Sequence, residues 1–373
     1  MKELQLLIKP VSSACDLQCR YCFYKEEVKH RKNTDHGIMS LETMEILIDK
    51  ALKAADTCVF GFQGGEPLLA GLSFYRQFVS CVRQKKREEQ QVFYTIQTNG
   101  MALDDQWIPF FKEEKFLLGV SLDGVRKSHD ENRVDYRGEG TFSQVFENLK
   151  KLQEKKVPFH ILCVLNAQTA ERIEAIYRFF IKKGFYEQQY IPCLDPLGEV
   201  EEGKYPYSLT GEQYQAALER LFTLWFEDKI RGVPVYIRQF DNYAGMLRGA
   251  QPEACSMYGR CSMQNVIEAD GTVYPCDFYA LDEYEMGNIT DSNVDFKVLE
   301  EMARDAERAP FFADAEKRDE RCPDCRWYPL CRGGCRRDLI PYGKEMRNRY
   351  CEAYQKFFQT AIGRLEYLAS ICI

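Results

Sequence analysis

The chain has 373 residues, with 45% hydrophobic, 13% aromatic and 29% charged positions, and its formal net charge at pH 7 is −7. This composition excludes a disordered or fibrous protein, and the length favours one large domain followed by a smaller one. The acidic balance argues against a nucleic-acid partner, because general binders of that kind need a basic face to displace counterions from phosphates.

The first ten residues, MKELQLLIKP, form a short apolar run with no small-residue cleavage site behind it, so we do not expect a signal peptide. No run approaches the roughly 20 apolar residues that span a bilayer, so we expect no membrane insertion and a cytoplasmic location. In that reducing compartment, a chain with 16 cysteines is more typical of metal binding than of disulfide bonding.

Up to about residue 195, short β-rich runs alternate with longer segments of helical periodicity. This alternation predicts parallel strands joined by right-handed crossovers. Six such units are too few to close an eight-stranded barrel. The predicted fold class is therefore α/β, with a partial (β/α)6 TIM-type barrel. The six predicted strands cover residues 4–9, 57–62, 92–97, 116–122, 158–165 and 188–193.

Two of the predicted helices begin with a capping box, in which a threonine is followed three positions later by a glutamine. Thr141 and Gln144 are expected to open one helix, and Thr210 and Gln213 are expected to open a longer one that bridges to the next domain. The aromatic residues of LFTLWF (221–226), within that longer helix, recur at helical spacing and are expected to lie in the core.

Polar, glycine-rich or cysteine-rich segments follow five of the six predicted strands. Each segment alone is typical of an ordinary strand-to-helix turn. Because the carboxyl ends of parallel strands meet at one rim, the five together predict a ligand site there. The segments are CDLQCRYC (15–22), QGGEP (63–67), QTNG (97–100), SLDG (121–124) and CLDP (193–196).

Beyond about residue 250 the alternation stops, and cysteines, glycines and short strands take over, with an Asp-Gly hairpin turn at 269–271. We therefore expect a barrel domain with its bridging helix at 1–234 and a metal-organised domain with a C-terminal helix at 235–373. Five cysteines in scattered apolar contexts are expected to be buried small hydrophobes. They are Cys58, Cys81, Cys163, Cys193 and Cys372.

Three cysteines, Cys15, Cys19 and Cys22, stand in one loop with the spacing C-x3-C-x2-C. They could be three of the four ligands of a structural zinc ion, although such sites are commonly built from two short cysteine pairs. Thiolates also bind iron–sulfur clusters, and a cubane cluster held by three cysteines leaves one iron open to a non-protein ligand.

This motif, with Tyr21 before its third cysteine, resembles the signature of radical S-adenosylmethionine enzymes. The resemblance implies that the three cysteines hold a 4Fe-4S cluster whose open iron binds S-adenosylmethionine. It also implies that Gly64, Gly65 and Glu66 support the methionine amino group, since glycines allow close approach and a carboxylate pairs with an ammonium. Further cofactor contacts are expected from Tyr24, Gln97, Ser121, Leu194 and Arg133, with Arg137 as the alternative arginine, and a substrate contact is expected from Gln63.

The later cysteines resemble those of the SPASM domain, which carries two auxiliary 4Fe-4S clusters. Two zinc ribbons would be the structural alternative. By the interleaved ligation of that domain, the resemblance implies one cluster on Cys255, Cys261, Cys276 and Cys335, and the other on Cys322, Cys325, Cys331 and Cys351.

Among SPASM proteins, the chain is most similar to the anaerobic sulfatase-maturating enzymes, through stretches such as FGFQGGEPLLAGL, DGTVYPCDFY and LCRGGCRR. This resemblance implies oxidation of a sulfatase cysteine or serine to Cα-formylglycine, with a 5′-deoxyadenosyl radical taking a hydrogen from the side chain. It also implies that Asp277, in YPCDFY, is the general base, although Asp277 could instead form a structural Asx turn.

Two other functions stay open at this point. The first is a different SPASM peptide maturase, for example one that forms thioethers. Many of these carry an N-terminal leader-binding domain, and a radical motif at residue 15 favours the sulfatase maturases instead. The second is a zinc-stabilised binding protein without redox chemistry. For the enzyme, the expected partners are a sulfatase polypeptide and reduced flavodoxin or ferredoxin as the electron donor.

Overall fold

A computed structural model describes the backbone of residues 1–305, 307, 309–315 and 319–371, and all of their side chains except those of residues 314 and 315. Within these residues the strands are β1 (Glu3–Ile8), β2 (Thr57–Phe62), β3 (Gln91–Thr98), β4 (Leu117–Ser121), β5 (Phe159–Leu165), β6 (Glu187–Pro192), β7 (Tyr236–Ile237), β8 (Val266–Ile267), β9 (Val273–Tyr274), β10 (Leu339–Tyr342) and β11 (Glu345–Asn348).

The α-helices of the described residues are α1 (Phe23–Lys29), α2 (Leu41–Ala54), α3 (Leu72–Lys85), α4 (Trp107–Glu113), α5 (Arg126–Asp130), α6 (Phe142–Lys155), α7 (Ala167–Glu171), α8 (Ile173–Lys183), α9 (Gly211–Ile230), α10 (Arg238–Leu247), α11 (Phe296–Met302), α12 (Pro310–Ala315), α13 (Tyr328–Cys331) and α14 (Cys351–Ser370). Short 3-10 helices include Pro67–Ala70 and Asp277–Tyr279.

The chain divides by packing into two compact units. The first unit comprises residues 1–121, 134–159 and 262–313, and the second comprises residues 122–133, 160–261 and 314–373. Each unit therefore combines segments from both sides of the boundary that the sequence predicts between residues 234 and 235. That boundary between a barrel domain and a cysteine-rich domain remains a prediction.

The first unit is built on parallel strands in continuous register. β1 pairs with β2, β2 with β3 and β3 with β4, and β8 pairs in parallel with the other side of β1. Leu4, Leu6 and Ile8 alternate with more exposed residues along β1 and are buried. This period of two places their side chains on one face of the sheet. The segment therefore forms a strand with one buried face.

The second unit contains the parallel strands β5, β6 and β7, together with the long helices α9 and α14, which pack against each other. Phe222 and Trp225 of α9 are fully buried, and Phe222 makes an edge contact with Phe357 of α14 at 5.4 Å between ring centroids. The prediction that the aromatic residues of 221–226 belong to the core is confirmed for both. The bridging role of α9 remains a prediction.

The six predicted strands are all present within one or two residues of their expected ends. The capping box at Thr210 is also confirmed, because its hydroxyl accepts the backbone N–H of Gln213 and the glutamine side chain returns the contact. The capping box at Thr141 was wrong. Thr141 has helical backbone angles, φ −106° and ψ −1°, and makes no capping bond, whereas Thr210 is extended. An extended cap residue is needed to aim its oxygen at the first helical amides.

Four of the five scattered cysteines, Cys58, Cys81, Cys163 and Cys193, are buried as expected, and Cys372 lies outside the described residues. Among the described residues, no helix is both long enough and apolar enough to cross a membrane.

The cap of α9 gives a stability test. Thr210→Ala removes the side-chain hydroxyl that accepts the backbone N–H of Gln213, and we expect the free energy of unfolding to fall by about 1 kcal/mol. Thr210→Ser keeps the hydroxyl and should retain nearly all of the stability. Denaturant unfolding under anaerobic conditions, followed by far-UV circular dichroism, compares the two variants. Equal losses would show that the methyl group, and not the capping bond, is what matters.

Candidate functional site

The cysteine loop connects β1 to α1, and Cys22 is the residue immediately before the first turn of α1. The backbone amide of Leu17 donates to the Sγ of Cys15 at 3.4 Å, and the amide of Cys22 donates to the carbonyl of Cys19 at 3.4 Å. All three cysteines are half-buried. The loop therefore folds back on itself and holds three partly accessible sulfur atoms within one short segment.

Negative groups surround the first of these sulfurs. Burial, together with smaller contributions from the nearby carboxylates of Glu66 and Asp16, raises the pKa of Cys15 to about 12. A thiolate at this position is therefore favoured only when a cation takes the place of its proton. This is the behaviour of a metal ligand, because metal binding and thiol deprotonation are coupled.

A Gly-Gly-Glu turn packs directly against the start of the cysteine loop. Gly65 has φ +55°, and a Cβ atom there would lie 2.2 Å from the carbonyl oxygen of Ala14. The next amide, that of Glu66, donates to this same oxygen at 2.7 Å. Gly64 has φ +105°, and its Cβ would lie 2.6 Å from the Cγ of Lys9. Side chains at either position would displace the backbone that enters the cysteine loop.

The Glu66 carboxylate is 1% exposed and joins two of the predicted loops. One oxygen accepts the amide of Leu68 at 3.1 Å and the hydroxyl of Thr98 at 2.8 Å, and the other accepts the amide of Asn99 at 2.7 Å. Burial raises the pKa of Glu66 to about 7 against these three donors. A carboxylate offers about four lone-pair positions, so one position remains for a further donor. Glu66 is thus a structural tie as well as a candidate cofactor contact.

Asn99 is a site residue that the sequence reasoning missed. Its side-chain amide donates to the carboxylate of Asp16 at 2.6 Å and lies 3.9 Å from the Sγ of Cys15. The only available signal was its place in QTNG, one of the five loops. Tyr136 also reaches this segment, since its hydroxyl donates to the carbonyl of Cys15 at 2.6 Å.

The structure brings two predicted site residues, Tyr24 and Gln63, together around a third, Asp277. The Tyr24 hydroxyl and the Gln63 amide both donate to Oδ2 of Asp277, each at 2.7 Å, and the amide also donates to the Tyr24 oxygen at 2.8 Å. Phe23, next to Tyr24, packs edge-on against Phe278 at 4.9 Å. These contacts fix one oxygen of the carboxylate. The expected roles of Tyr24 toward the cofactor and of Gln63 toward the substrate remain predictions.

The surroundings of Asp277 favour proton uptake. Its side chain is almost completely buried, and this burial raises the pKa of Asp277 above its ordinary value. The ammonium of Lys9, 3.9 Å from Oδ1, and the hydrogen bonds from Tyr24 and Gln63 act in the opposite direction. A carboxylate with a raised pKa is a stronger base than an exposed one, and such shifts are typical of groups that move protons in catalysis.

The remaining expected cofactor contacts are distributed over both units. Gln97 is exposed on β3, and Ser121 ends β4 half-buried in the first unit. In the second unit, Leu194 follows β6, and the buried guanidinium of Arg133 binds Asp123 at 3.0 Å. Arg133 is thus already neutralised by a carboxylate of its own unit. The cofactor roles of these four residues remain predictions.

Seven of the eight later cysteines lie in the second unit and form two groups there. The pKa of Cys331 is raised to about 12, mainly by burial and to a smaller extent by the nearby Cys351, Cys322 and Cys325. Cys255 and Cys261 act in the same direction on Cys335, whose pKa is raised mainly by burial. The assignment of these cysteines to two clusters remains a prediction.

The eighth cysteine, Cys276, lies in the first unit, half-buried and directly before Asp277. Among the described residues, no group of three or more histidine, cysteine or acidic side chains is arranged to hold a single metal ion.

Comparison with known proteins identifies both parts of the chain. The radical SAM superfamily matches residues 10–180, and the SPASM iron–sulfur cluster-binding domain matches residues 255–326. A cysteine-type anaerobic sulfatase-maturating enzyme of Clostridium novyi is 43% identical over 99% of this chain and 98% of that protein. A serine-type anaerobic sulfatase-maturating enzyme of Bacteroides thetaiotaomicron is 28% identical over 98% of this chain and 91% of that protein.

A solved structure of anSMEcpe with bound AdoMet and the Kp18Cys peptide shares 40% identity and superimposes with a TM-score of 0.91, covering 99% of both chains. The predicted α/β radical SAM fold with a SPASM domain is confirmed. Because the identity extends over nearly the whole length of both proteins, this chain belongs to the anaerobic sulfatase-maturating enzymes.

Proposed function

We propose that this protein oxidises the active-site cysteine of a sulfatase to Cα-formylglycine. The observation that carries the proposal is the near full-length identity to a cysteine-type maturating enzyme, combined with the buried Asp277 site. Cysteine is favoured over serine as the substrate residue, since the serine-type relative shares less of the sequence. The likeness over the whole chain supports this function over that of a thioether-forming maturase.

The residues present fit the cofactors of the family. Cys15, Cys19 and Cys22 supply three thiol donors, the number that leaves one iron of a 4Fe-4S cluster open. The turn at Gly64 and Gly65 lies against their loop and has no room for a side chain at either position. Glu66 keeps an acceptor position for the ammonium of S-adenosylmethionine. The eight later cysteines, three of them beyond the matched SPASM segment, suffice for two further clusters. When bound, these groups supply one-electron chemistry that removes a hydrogen atom from a C–H bond.

The protein itself has to remove a proton. Conversion of a cysteine side chain to a thioaldehyde removes a hydrogen atom from Cβ, a proton from sulfur and one electron, for which an oxidised auxiliary cluster would be the acceptor. Water then replaces the sulfur with oxygen, and the sulfur leaves as hydrogen sulfide. Asp277 accepts the proton in this scheme, because it is buried, has a raised pKa and is held by Tyr24 and Gln63. These two contacts come from residues 253 and 214 positions away, so they differ from an Asx turn, which is local.

The partners follow from this reaction. The substrate is a sulfatase polypeptide segment that contains the cysteine, and reduced flavodoxin or ferredoxin supplies the electron that starts turnover. Both classes of carrier deliver single electrons, as the chemistry requires.

The reaction and the base are tested together. Reduced wild-type protein with S-adenosylmethionine should convert a sulfatase-motif cysteine peptide to formylglycine, and it should act less on the serine version. Asp277→Asn keeps the size of the side chain but removes the base, so formylglycine should fall about 100-fold while 5′-deoxyadenosine still forms. Mass spectrometry of the peptide and chromatography of the nucleoside measure the two products.

Asp282→Asn is the matched control, because Asp282 lies five residues further on and, within the part of the chain that the structure describes, its carboxylate accepts only the exposed backbone amide of Lys32, at 2.9 Å. This variant should form both products at the wild-type ratio. Full formylglycine production by Asp277→Asn would contradict the assignment of the base, and a thioether in the wild-type product would favour the other class of maturase.

A substitution in the Gly-Gly-Glu turn tests whether the first three cysteines hold a cluster. Anaerobically purified wild-type protein should be brown and hold on the order of twelve irons, whereas a colourless zinc protein would contradict the enzyme function. Gly65→Ala should lower the iron content by about a third, because its Cβ would displace Ala14 and the cysteine loop behind it. Gly37→Ala shares the positive φ, +69°, but the new Cβ would meet no atom within 4 Å among the described residues beyond its chain neighbours, so this variant should keep all of the iron.

A further inference from the structure

A cluster of buried charges lies behind Asp277 in the first unit. Besides Asp277 it contains Lys9, Glu27, Arg31 and Glu268, all of them at most 7% exposed. The ammonium of Lys9 lies 3.4 Å from Glu27, 3.3 Å from Glu268 and 3.9 Å from Asp277, and Arg31 binds Glu268 at 2.6 Å. Lys9 is therefore the one member that approaches all three carboxylates of this cluster.

The charges and hydrogen bonds of this cluster are not those expected if it only stabilised the fold. It holds three carboxylates and two cations, and Oε1 of Glu27 and Oδ1 of Asp277 have no hydrogen-bond partner among the described residues. A partly satisfied buried network of this kind is costly compared with apolar packing of the same volume. Its presence beside Asp277 is therefore better explained by an effect on the position of the Asp277 carboxylate than by a contribution to folding.

The position of the Lys9 ammonium is strongly constrained. The Lys9 amide donates to the carbonyl of Ile267 at 2.8 Å, which fixes the end of β1 against β8. The aliphatic stem lies against Gly64, where even a Cβ atom would come within 2.6 Å of it. The ammonium then lies 5.1 Å from the centre of the Tyr24 ring, so it contacts both Asp277 and one of the two donors that hold Asp277.

The two oxygens of Asp277 consequently have different surroundings. Oδ2 accepts hydrogen bonds from Tyr24 and Gln63, while Oδ1 faces the Lys9 charge at 3.9 Å, beyond hydrogen-bonding distance. A charge at this distance attracts the carboxylate without occupying its lone pairs. Lys9 can therefore hold the side chain in place and still leave it able to take a proton.

We propose that Lys9 is a positioning residue for Asp277, holding the carboxylate from its Oδ1 side while Tyr24 and Gln63 hold Oδ2. The inference rests on the proposed function, since it concerns the step in which Asp277 accepts the substrate proton. Lys9 acts on that step alone and has no part in hydrogen-atom removal. Loss of Lys9 should therefore lower formylglycine formation while 5′-deoxyadenosine still forms.

The opposing explanation is that Lys9 only balances the charge of Glu27 and Glu268. A double variant distinguishes the two. Lys9→Met leaves three carboxylates facing one cation, whereas Lys9→Met with Glu27→Gln leaves two carboxylates facing one cation, which restores the wild-type excess of one negative charge. If Lys9 is only a counter-charge, the double variant should behave as wild type.

The measurement is the ratio of formylglycine to 5′-deoxyadenosine, together with the iron content of each protein. We expect the ratio to fall about tenfold or more in both Lys9 variants, because small displacements of a catalytic group are costly, and the double variant should keep its iron. Lys50→Met is the matched control in the same unit. The Lys50 ammonium binds the carbonyls of Ile289, Asp291 and Val294, so its loss weakens packing without touching Asp277. Its ratio should equal that of wild type.

A wild-type ratio in the double variant would overturn the inference, because the lysine would then be a counter-charge only. Loss of iron from the double variant would also overturn it, since Lys9 would then support the fold and not the base. Wild-type protein that releases 5′-deoxyadenosine and never forms formylglycine would overturn the proposed function, and with it the role of Lys9. A low ratio in an iron-replete double variant supports the inference.

Discussion

The site depends on the parallel register of β1, β2 and β3. Ile8 pairs with Phe62 and Phe62 pairs with Ile96, so these three strands reach the same edge of the sheet almost together. The cysteine loop, the Gly-Gly-Glu turn and the Thr98–Asn99 segment therefore begin side by side. The Glu66 carboxylate and the Ala14 carbonyl can connect them only because of this alignment. A shift of one residue would turn each strand over and move these groups to the wrong face.

Burial is the second constraint, because it determines what the charged groups can do. Glu66 and Asp277 are both removed from water, and burial raises the pKa of each. Their remaining partners differ. Three donors surround Glu66 and connect two loops, which suits a fixed anion beside a cationic ligand. Asp277 keeps an oxygen without a hydrogen-bond donor among the described residues, which suits a group that has to accept a proton.

Much of this arrangement could be predicted from the sequence, because it is local. Alternating apolar residues define the six strands, and the cysteine spacing and the Gly-Gly-Glu turn can be read directly. The failed cap at Thr141 shows the limit of such patterns, since a motif says nothing of the backbone angles that it needs. Asn99, Lys9 and Glu268 could not be assigned, because their importance comes from contacts with residues far away in the chain.

In the proposed reaction, the placement of Asp277 beside Cys276 would allow proton and electron removal to belong to one step. Oxidation of the substrate radical releases both particles, and removal of either one alone would leave an unfavourable charge on the substrate in a buried site. Cys276 is an expected ligand of an auxiliary cluster, and the adjacent residue is the expected base. Because the two are neighbours in the chain, the peptide bond would keep the proposed proton acceptor next to a cluster held by Cys276, and that cluster would supply the electron acceptor. The long-range bonds from Tyr24 and Gln63 then have to set only the direction of the carboxylate.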